Sequence, residues 1–206
     1  MLFSIVSCQL LSNTCSSFAV DNLIELAEDK GYGIAYIYLQ YQDSERQTPI
    51  HILKCLLKQL AEQNSEVWKM TKSLRDRLTK EHKVPSAPNV EVLLHYALSR
   101  FSRVFIALDA LDETHDMKTL KPLLESISKL KAAGAEFILT SRHDSSLVRD
   151  AMASEMSSKV ELQPSYEDMK AYIEDYIDRD PQAKRLIKAD VRPGIVESLT
   201  AGANGM

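Results

Sequence analysis

Apolar positions along this chain fall into two kinds of block: short runs, and longer stretches with a helical period. The short runs are Phe3 to Val6, Gly33 to Leu39, Val104 to Asp109, Ala135 to Thr140 and Lys159 to Leu162. Runs of this length with little polar alternation suit strands covered on both faces, as in a mainly parallel sheet. The helical stretches lie between them. Phe18, Leu23, Ile24, Leu26 and Ala27 follow a polar turn at Ser12-Asn13-Thr14, with Ser16 or Ser17 as the cap, and end at Lys30-Gly31. Thr48-Pro49 opens a stripe of Ile50, Leu53, Leu56, Leu57 and Leu60, with His51, Lys54, Lys58 and Glu62 facing outward. Val67, Met70, Leu74 and Leu78 predict a narrow-striped helix over Ser65 to Lys83, which Val84-Pro85-Ser86-Ala87-Pro88 breaks. Asn89 caps the next, which carries Val92, Leu93, Tyr96 and Ala97.

After the third run, Leu120, Leu123, Leu124, Ile127 and Leu130 mark a helix, and Leu147 and Val148 mark another beyond the fourth. Ser165 and Asp168 form a capping-box pair before Met169, Tyr172, Ile173, Tyr176 and Ile177, and Pro181 stops or restarts that helix. Strand and helix alternate five times. The order predicts an α/β fold, a doubly wound, mainly parallel five-stranded sheet with right-handed crossovers. Residues 1-164 form this domain, with 1-13 atypical, and residues 165-206 begin a helical extension that reads as truncated.

The third run ends abruptly in acids, at Asp109, Asp112 and Glu113. Ligands bind at the carboxyl ends of strands in such sheets. Three acids on one tip are suited to a hydrated Mg²⁺ and a positioned water. The plainer reading is an acidic turn that caps the next helix, and for an isolated tip it carries more weight. The fourth run ends in Thr140, Ser141 and Arg142, which as a parallel neighbour would reach the same sheet edge and set Arg142 near a terminal phosphate.

Composition narrows the partners. In 206 residues, 45% hydrophobic and 26% charged, with net charge -4, basic and acidic residues are interspersed, so no basic face and no nucleic acid are implied. Cys8, Cys15 and Cys55 lack any paired spacing and read as reduced thiols, and the five histidines show no zinc-ligand spacing. No stretch is long enough to span a bilayer. The expected location is cytoplasmic.

Four segments occur together in order: Ala35-Tyr36-Ile37-Tyr38 with Gln42-Asp43, Phe105 to Glu113, Phe137 to Arg142, and Glu167 to Ile173. They resemble the NACHT-type nucleotide-binding module of fungal ankyrin-repeat and nephrocystin-like N-terminal proteins, over roughly Thr14 to Met206. The resemblance implies a P-loop NTPase fold of the signal-transducing type that binds Mg²⁺ and ATP or GTP. It assigns Asp109, in the Walker B position, to Mg²⁺ through water. Asp112 and Glu113 would orient or activate the attacking water, and Arg142 would sense the terminal phosphate. Thr14 stands in for the Mg²⁺-binding hydroxyl. Ala110 occupies a position where many NACHT proteins have glycine.

The family also needs G-x-x-x-x-G-K-S/T before its first helix, because glycine lets backbone N–H groups close around phosphates and lysine offsets their charge. Between Val6 and Phe18 this chain has neither glycine nor lysine. Two explanations follow: a pseudo-NTPase that kept the fold and lost the pocket, or a fragment with an alternative start. The expected function is a NACHT-like regulatory module with impaired nucleotide binding, inactive as an NTPase in this form, whose protein partners or self-association involve regions beyond it. The alternatives are a non-enzymatic interaction scaffold and, more weakly, a metal-dependent phosphohydrolase using the acids alone.

Overall fold

The computed structural model describes residues 2–7, 12–43, 47–114, 117–141, 148, 158–162 and 165–203; for 2–7, 12–19, 28, 43, 158–162 and 203 it describes the backbone alone. The helix expected around Leu147 and Val148 therefore falls almost wholly outside the described residues. The chain divides into two compact units, Met1–Glu161 and Leu162–Met206.

Among the described residues one sheet has five strands, β1 (Leu2–Ser7), β2 (Gly33–Tyr38), β3 (Val104–Asp109), β4 (Glu136–Ser141) and β5 (Ser158–Leu162), in the order β2-β3-β4-β1-β5. Parallel register joins β2 to β3, β3 to β4 and β4 to β1. The α/β expectation holds. Parallel pairing is established across four of the strands, and more of the chain is helical than extended.

Among the described residues these strands are accompanied by α1 (Ser12–Lys30), α2 (Pro49–Gln63), α3 (Ser65–Lys80), α4 (Ala87–Leu98) and α5 (Met117–Ala132). Alternation along the strands explains how they pack. Ala35, Ile106, Leu108, Phe137 and Leu139 share one core with Leu53, Leu56, Leu60, Leu94 and Leu123 of the helices. The intervening Tyr36, Ala107 and Ile138 face a crevice with Val20 of α1. A strand apolar at every position is thus accounted for by helices on both faces.

Several local expectations are corrected. Ser12-Asn13-Thr14 is the first turn of α1, not a turn before it. On α3, Met70 is exposed, and the covered stripe is Val67, Thr71, Leu74 and Leu78, because a spacing of 3.6 residues carries Met70 off the buried face. On α4, Val92 is exposed while Val90, Leu93, Leu94 and Ala97 are buried, and the cap is Ser86. The Ser86 N–H and hydroxyl both donate to Asn89 Oδ1, at 3.1 and 2.8 Å, so Asn89 closes the first turn from within. Gly31 does end α1, at φ 65°, with the Tyr32 N–H returning to the Ala27 carbonyl at 3.1 Å.

The second unit contains α6 (Tyr166–Arg179), α7 (Pro181–Leu186) and α8 (Arg192–Ala203). The capping box is present: the Asp168 N–H donates to Ser165 Oγ at 3.1 Å and the Ser165 N–H to Asp168 Oδ2 at 3.2 Å. Pro181 restarts the helix, with Asp180 accepting the N–H groups of Gln182 and Ala183, each at 2.8 Å. Arg192 ties α8 back to α6 by a fork to both carboxylate oxygens of Asp178, each at 2.8 Å. Those contacts hold the Asp178 carboxyl below its usual pKa, the hydrogen bond from Arg192 being the main cause.

Candidate functional site

Parallel pairing of β3 and β4 brings Asp109 beside Thr140 at the carboxyl edge of the sheet. Both are buried, at 5% and 3% exposure, so their polar groups must find partners within the protein. The Thr140 hydroxyl donates to Asp109 Oδ1 and at the same time accepts the Ala110 N–H at 2.9 Å. One hydroxyl therefore fixes both the acid and the backbone that follows it.

That backbone is unusual. Ala110 has φ 59° and ψ 51°, the left-handed region, where a Cβ crowds the following carbonyl oxygen. The position favours glycine for this reason. The turn sends the chain into a single 3-10 turn, Leu111–Glu113, anchored by the fully buried Leu111 and by the Thr114 hydroxyl, which donates to the Leu111 carbonyl at 2.7 Å.

The consequence is that the acids part. Glu113 Oε2 accepts the Tyr41 N–H at 3.2 Å, which ties it to the turn Tyr41–Asp43 after β2, while Asp109 stays at the strand end against Thr140. Asp112 and Glu113 are half-buried. Among the described residues no group of three or more His, Cys, Asp or Glu is placed to hold a metal ion. Strand geometry puts Asp109 in the sheet, and the left-handed turn carries Glu113 toward a neighbouring loop. The crevice bordered by Asp109, Thr140, Tyr38 and Val20 encloses about 10 Å³, room for about one water.

Of the other expected site residues, Arg142 lies outside the described residues. Thr14 lies in the first turn of α1, and only its backbone is described. β1 ends at Ser7 and α1 begins at Ser12. β1 neighbours β4, with Val6 in register with Ser141, so the end of β1 and the Asp109 tip belong to the same edge. Thr140 was legible only as one member of a polar strand end; its role required knowing which strand lies next to β3. On α3, Lys69, Lys72, Arg77 and Lys80 surround one shallow depression together with Asp76.

No curated protein matches the sequence. Among solved structures, the chain resembles the Aeropyrum pernix ORC1 protein, determined in complex with DNA, with a TM-score of 0.58 at 16% identity, covering 97% of this chain and 48% of that one. It also resembles the Aeropyrum pernix ORC2 protein, determined in ADPNP-ADP complexes, with a TM-score of 0.54 at 12% identity, covering 86% of this chain and 45% of that one. Identities this low speak for the fold alone, an α/β fold, and this chain spans about half the length of either neighbour. No helix among the described residues is long and apolar enough to cross a membrane. The model of the family described as "Nephrocystin 3, N-terminal" matches residues 13–142, well over half of the chain, and this protein belongs to that family.

Proposed function

We propose that this chain is a regulatory nucleotide-binding module of the NACHT-like, signal-transducing kind whose phosphate-binding half has degenerated. The observation that carries the reading is Asp109, a buried acid at the end of β3, hydrogen-bonded by Thr140 and on the same sheet edge as the end of β1. In this reading Asp109 takes a Mg²⁺ ion through water, Asp112 and Glu113 orient the attacking water, Arg142 senses the terminal phosphate, and the output is self-association or binding of a protein partner. A bound magnesium nucleotide would supply the charge that such a switch reads.

The reading also says where binding fails. Laying the eight positions of G-x-x-x-x-G-K-S/T from the end of β1 sets Ser7 and Ser12 on the glycines, Asn13 on the lysine and Thr14 on the hydroxyl. A side chain at either glycine position crowds the amides that close around phosphate, and asparagine brings no positive charge. Titration of the unaltered chain with magnesium ATP or GTP is expected to give no binding in the micromolar range; micromolar affinity would overturn the impairment. The variant Ser7→Gly/Ser12→Gly/Asn13→Lys is expected to gain magnesium-dependent binding that Asp109→Asn abolishes. A folded triple variant that still binds nothing would sink the nucleotide reading.

A second reading, a non-enzymatic interaction scaffold, is favoured by the way the protein itself occupies the acids: Thr140 holds Asp109, and the Tyr41 N–H holds Glu113. Here Asp109→Asn leaves partner binding unchanged, and a large loss would count against it.

A further inference from the structure

Helix α3 carries more positive charge than its surroundings neutralise. Over Ser65–Lys80 five basic residues, Lys69, Lys72, Arg75, Arg77 and Lys80, stand against two acids, Glu66 and Asp76, in a chain whose net charge is -4. Both acids are already engaged: Asp76 meets Arg75 at 3.3 Å, and Glu66 meets Arg100 at 3.1 Å. Glu81, just past the helix, meets Lys83 at 2.9 Å. Among the described residues Lys69, Lys72, Arg77 and Lys80 make no ion pair. On α2, by contrast, Lys58 finds Glu62 four residues on.

The four cations share one face. Lys69, Lys72, Ser73, Asp76, Arg77 and Lys80 recur every three or four residues around an open, shallow depression, while Val67 and Leu78 are buried on the opposite side. At the helical rise this face is about 16 Å long. Ser73, the smallest side chain of the set, lies near its middle. Trp68 and Met70, 47% and 45% exposed, stand to either side of Lys69. Tryptophan is enriched among the residues that carry binding energy, and methionine adapts its shape to what it meets.

We propose that this face of α3 is a docking surface for a partner protein, which lays an acidic, amphipathic helix along Lys69, Lys72, Arg77 and Lys80 and sets apolar side chains against Trp68 and Met70. The spacing argues for a helix, because acids on one face of a partner helix repeat with the same period as these cations. Asp76 argues for a polypeptide. It stands in the middle of the positive face, where a phosphate backbone or an anionic lipid surface sets one more negative charge against it; a peptide can place a lysine there. The net charge of the whole chain, -4, also repels an extended polyanion, while a short acidic helix needs only local complementarity. This inference does not depend on the nucleotide reading.

The test titrates the full chain with a synthetic helical peptide of about four turns, bearing glutamates at the matching spacing, one lysine to meet Asp76 and leucines on both flanks. Trp68 is the only tryptophan in the sequence, so its emission reports contact directly. Binding is expected to shift that emission to shorter wavelength, to weaken by about tenfold in Lys72→Glu/Arg77→Glu, and to weaken in high salt. Asp76→Lys is expected to reverse the preference at the centre, so that a peptide with glutamate in place of its lysine binds more tightly than the original. No emission change, equal binding of a scrambled peptide of the same composition, or a charge-reversed variant that binds as before would overturn the proposal. A DNA duplex or phosphatidylserine vesicles that bind more tightly than the peptide would overturn it as well. The substituted positions are exposed, and circular dichroism checks folding. Should the double variant fail to fold, Lys69→Gln/Lys80→Gln carries the same comparison.

Discussion

The two ends of β3 and β4 are built on opposite plans. At their amino ends Arg103 and Glu136 meet in a two-pronged contact, Nε to Oε1 and Nη2 to Oε2, each at 2.7 Å, with the guanidinium lying 4.8 Å from the Phe105 ring centre and 5.5 Å from that of Tyr32. A charge is matched by a charge there, in reach of water, and the Glu136 hydrogen bond raises the Arg103 pKa. At the carboxyl ends a buried acid is matched by a neutral hydroxyl, and the next residue is held in a strained conformation. The first plan serves stability at modest cost. The second holds a carboxylate out of water beside a turn that glycine would suit better, and such arrangements cluster where proteins act.

Removing the hydroxyl is the strongest way to break the contrast. Thr140→Val keeps the shape but leaves the Asp109 carboxylate and the Ala110 N–H without their shared partner, and urea unfolding should show a loss of about 2–3 kcal/mol. Converting Asp109 to Asn in the same background should recover part of that loss, since the neutral amide costs less to bury. No recovery would mean that the acid is not the stressed group.

Relieving the strain should act in the opposite direction. Ala110→Gly removes the Cβ that the left-handed conformation crowds and should stabilise the chain by up to about 1 kcal/mol, read as a higher midpoint in the same unfolding experiment. A drop in stability would show that Ala110 is not strained.

At the other end of the strands, Arg103→Met keeps much of the stem over Tyr32 and Phe105 and removes the fork to Glu136. The pair is partly exposed, so the loss should be smaller than for Thr140→Val and should shrink further in high salt. A salt-independent loss as large as that of Thr140→Val would erase the distinction between the two ends.

The smallest expected effect lies in the second unit. Its fork between Arg192 and Asp178 follows the plan of the amino ends. Because the Asp178 pKa is lowered on folding, its contribution is fully present above the ordinary aspartate value of about 3.9 and is lost as pH falls through the folded value. Asp178→Asn should flatten that part of the acid limb; an unchanged acid limb would show that the fork does not report on folding.

Much of the layout was readable from periodicity, since strands apolar at every position and helices with one stripe have different repeats. Met70 and Val92 are exposed although they fit the period, because an apolar residue one step off the stripe still looks periodic over a short window. Gln59 and Gln63 leave a fainter trace than the charges on the polar face of α2: a pair of uncharged amides four residues apart, flanking the stripe at Leu60. The acidic run at Asp109, Asp112 and Glu113 was legible as a group, yet its members serve different neighbours.

What the sequence determined by itself is therefore local: which segments extend, which coil, where helices start and stop, and that a buried strand ends in acids. Those features follow from interactions between residues a few positions apart. The tertiary structure alone decided that Thr140 meets Asp109, that Glu113 meets Tyr41, and that Gln59 and Gln63 meet the backbone of Tyr36 and Ile34. Each of those pairings joins residues at least 20 positions apart, and it comes into being only when the order β2-β3-β4-β1-β5 sets their strands and helices side by side.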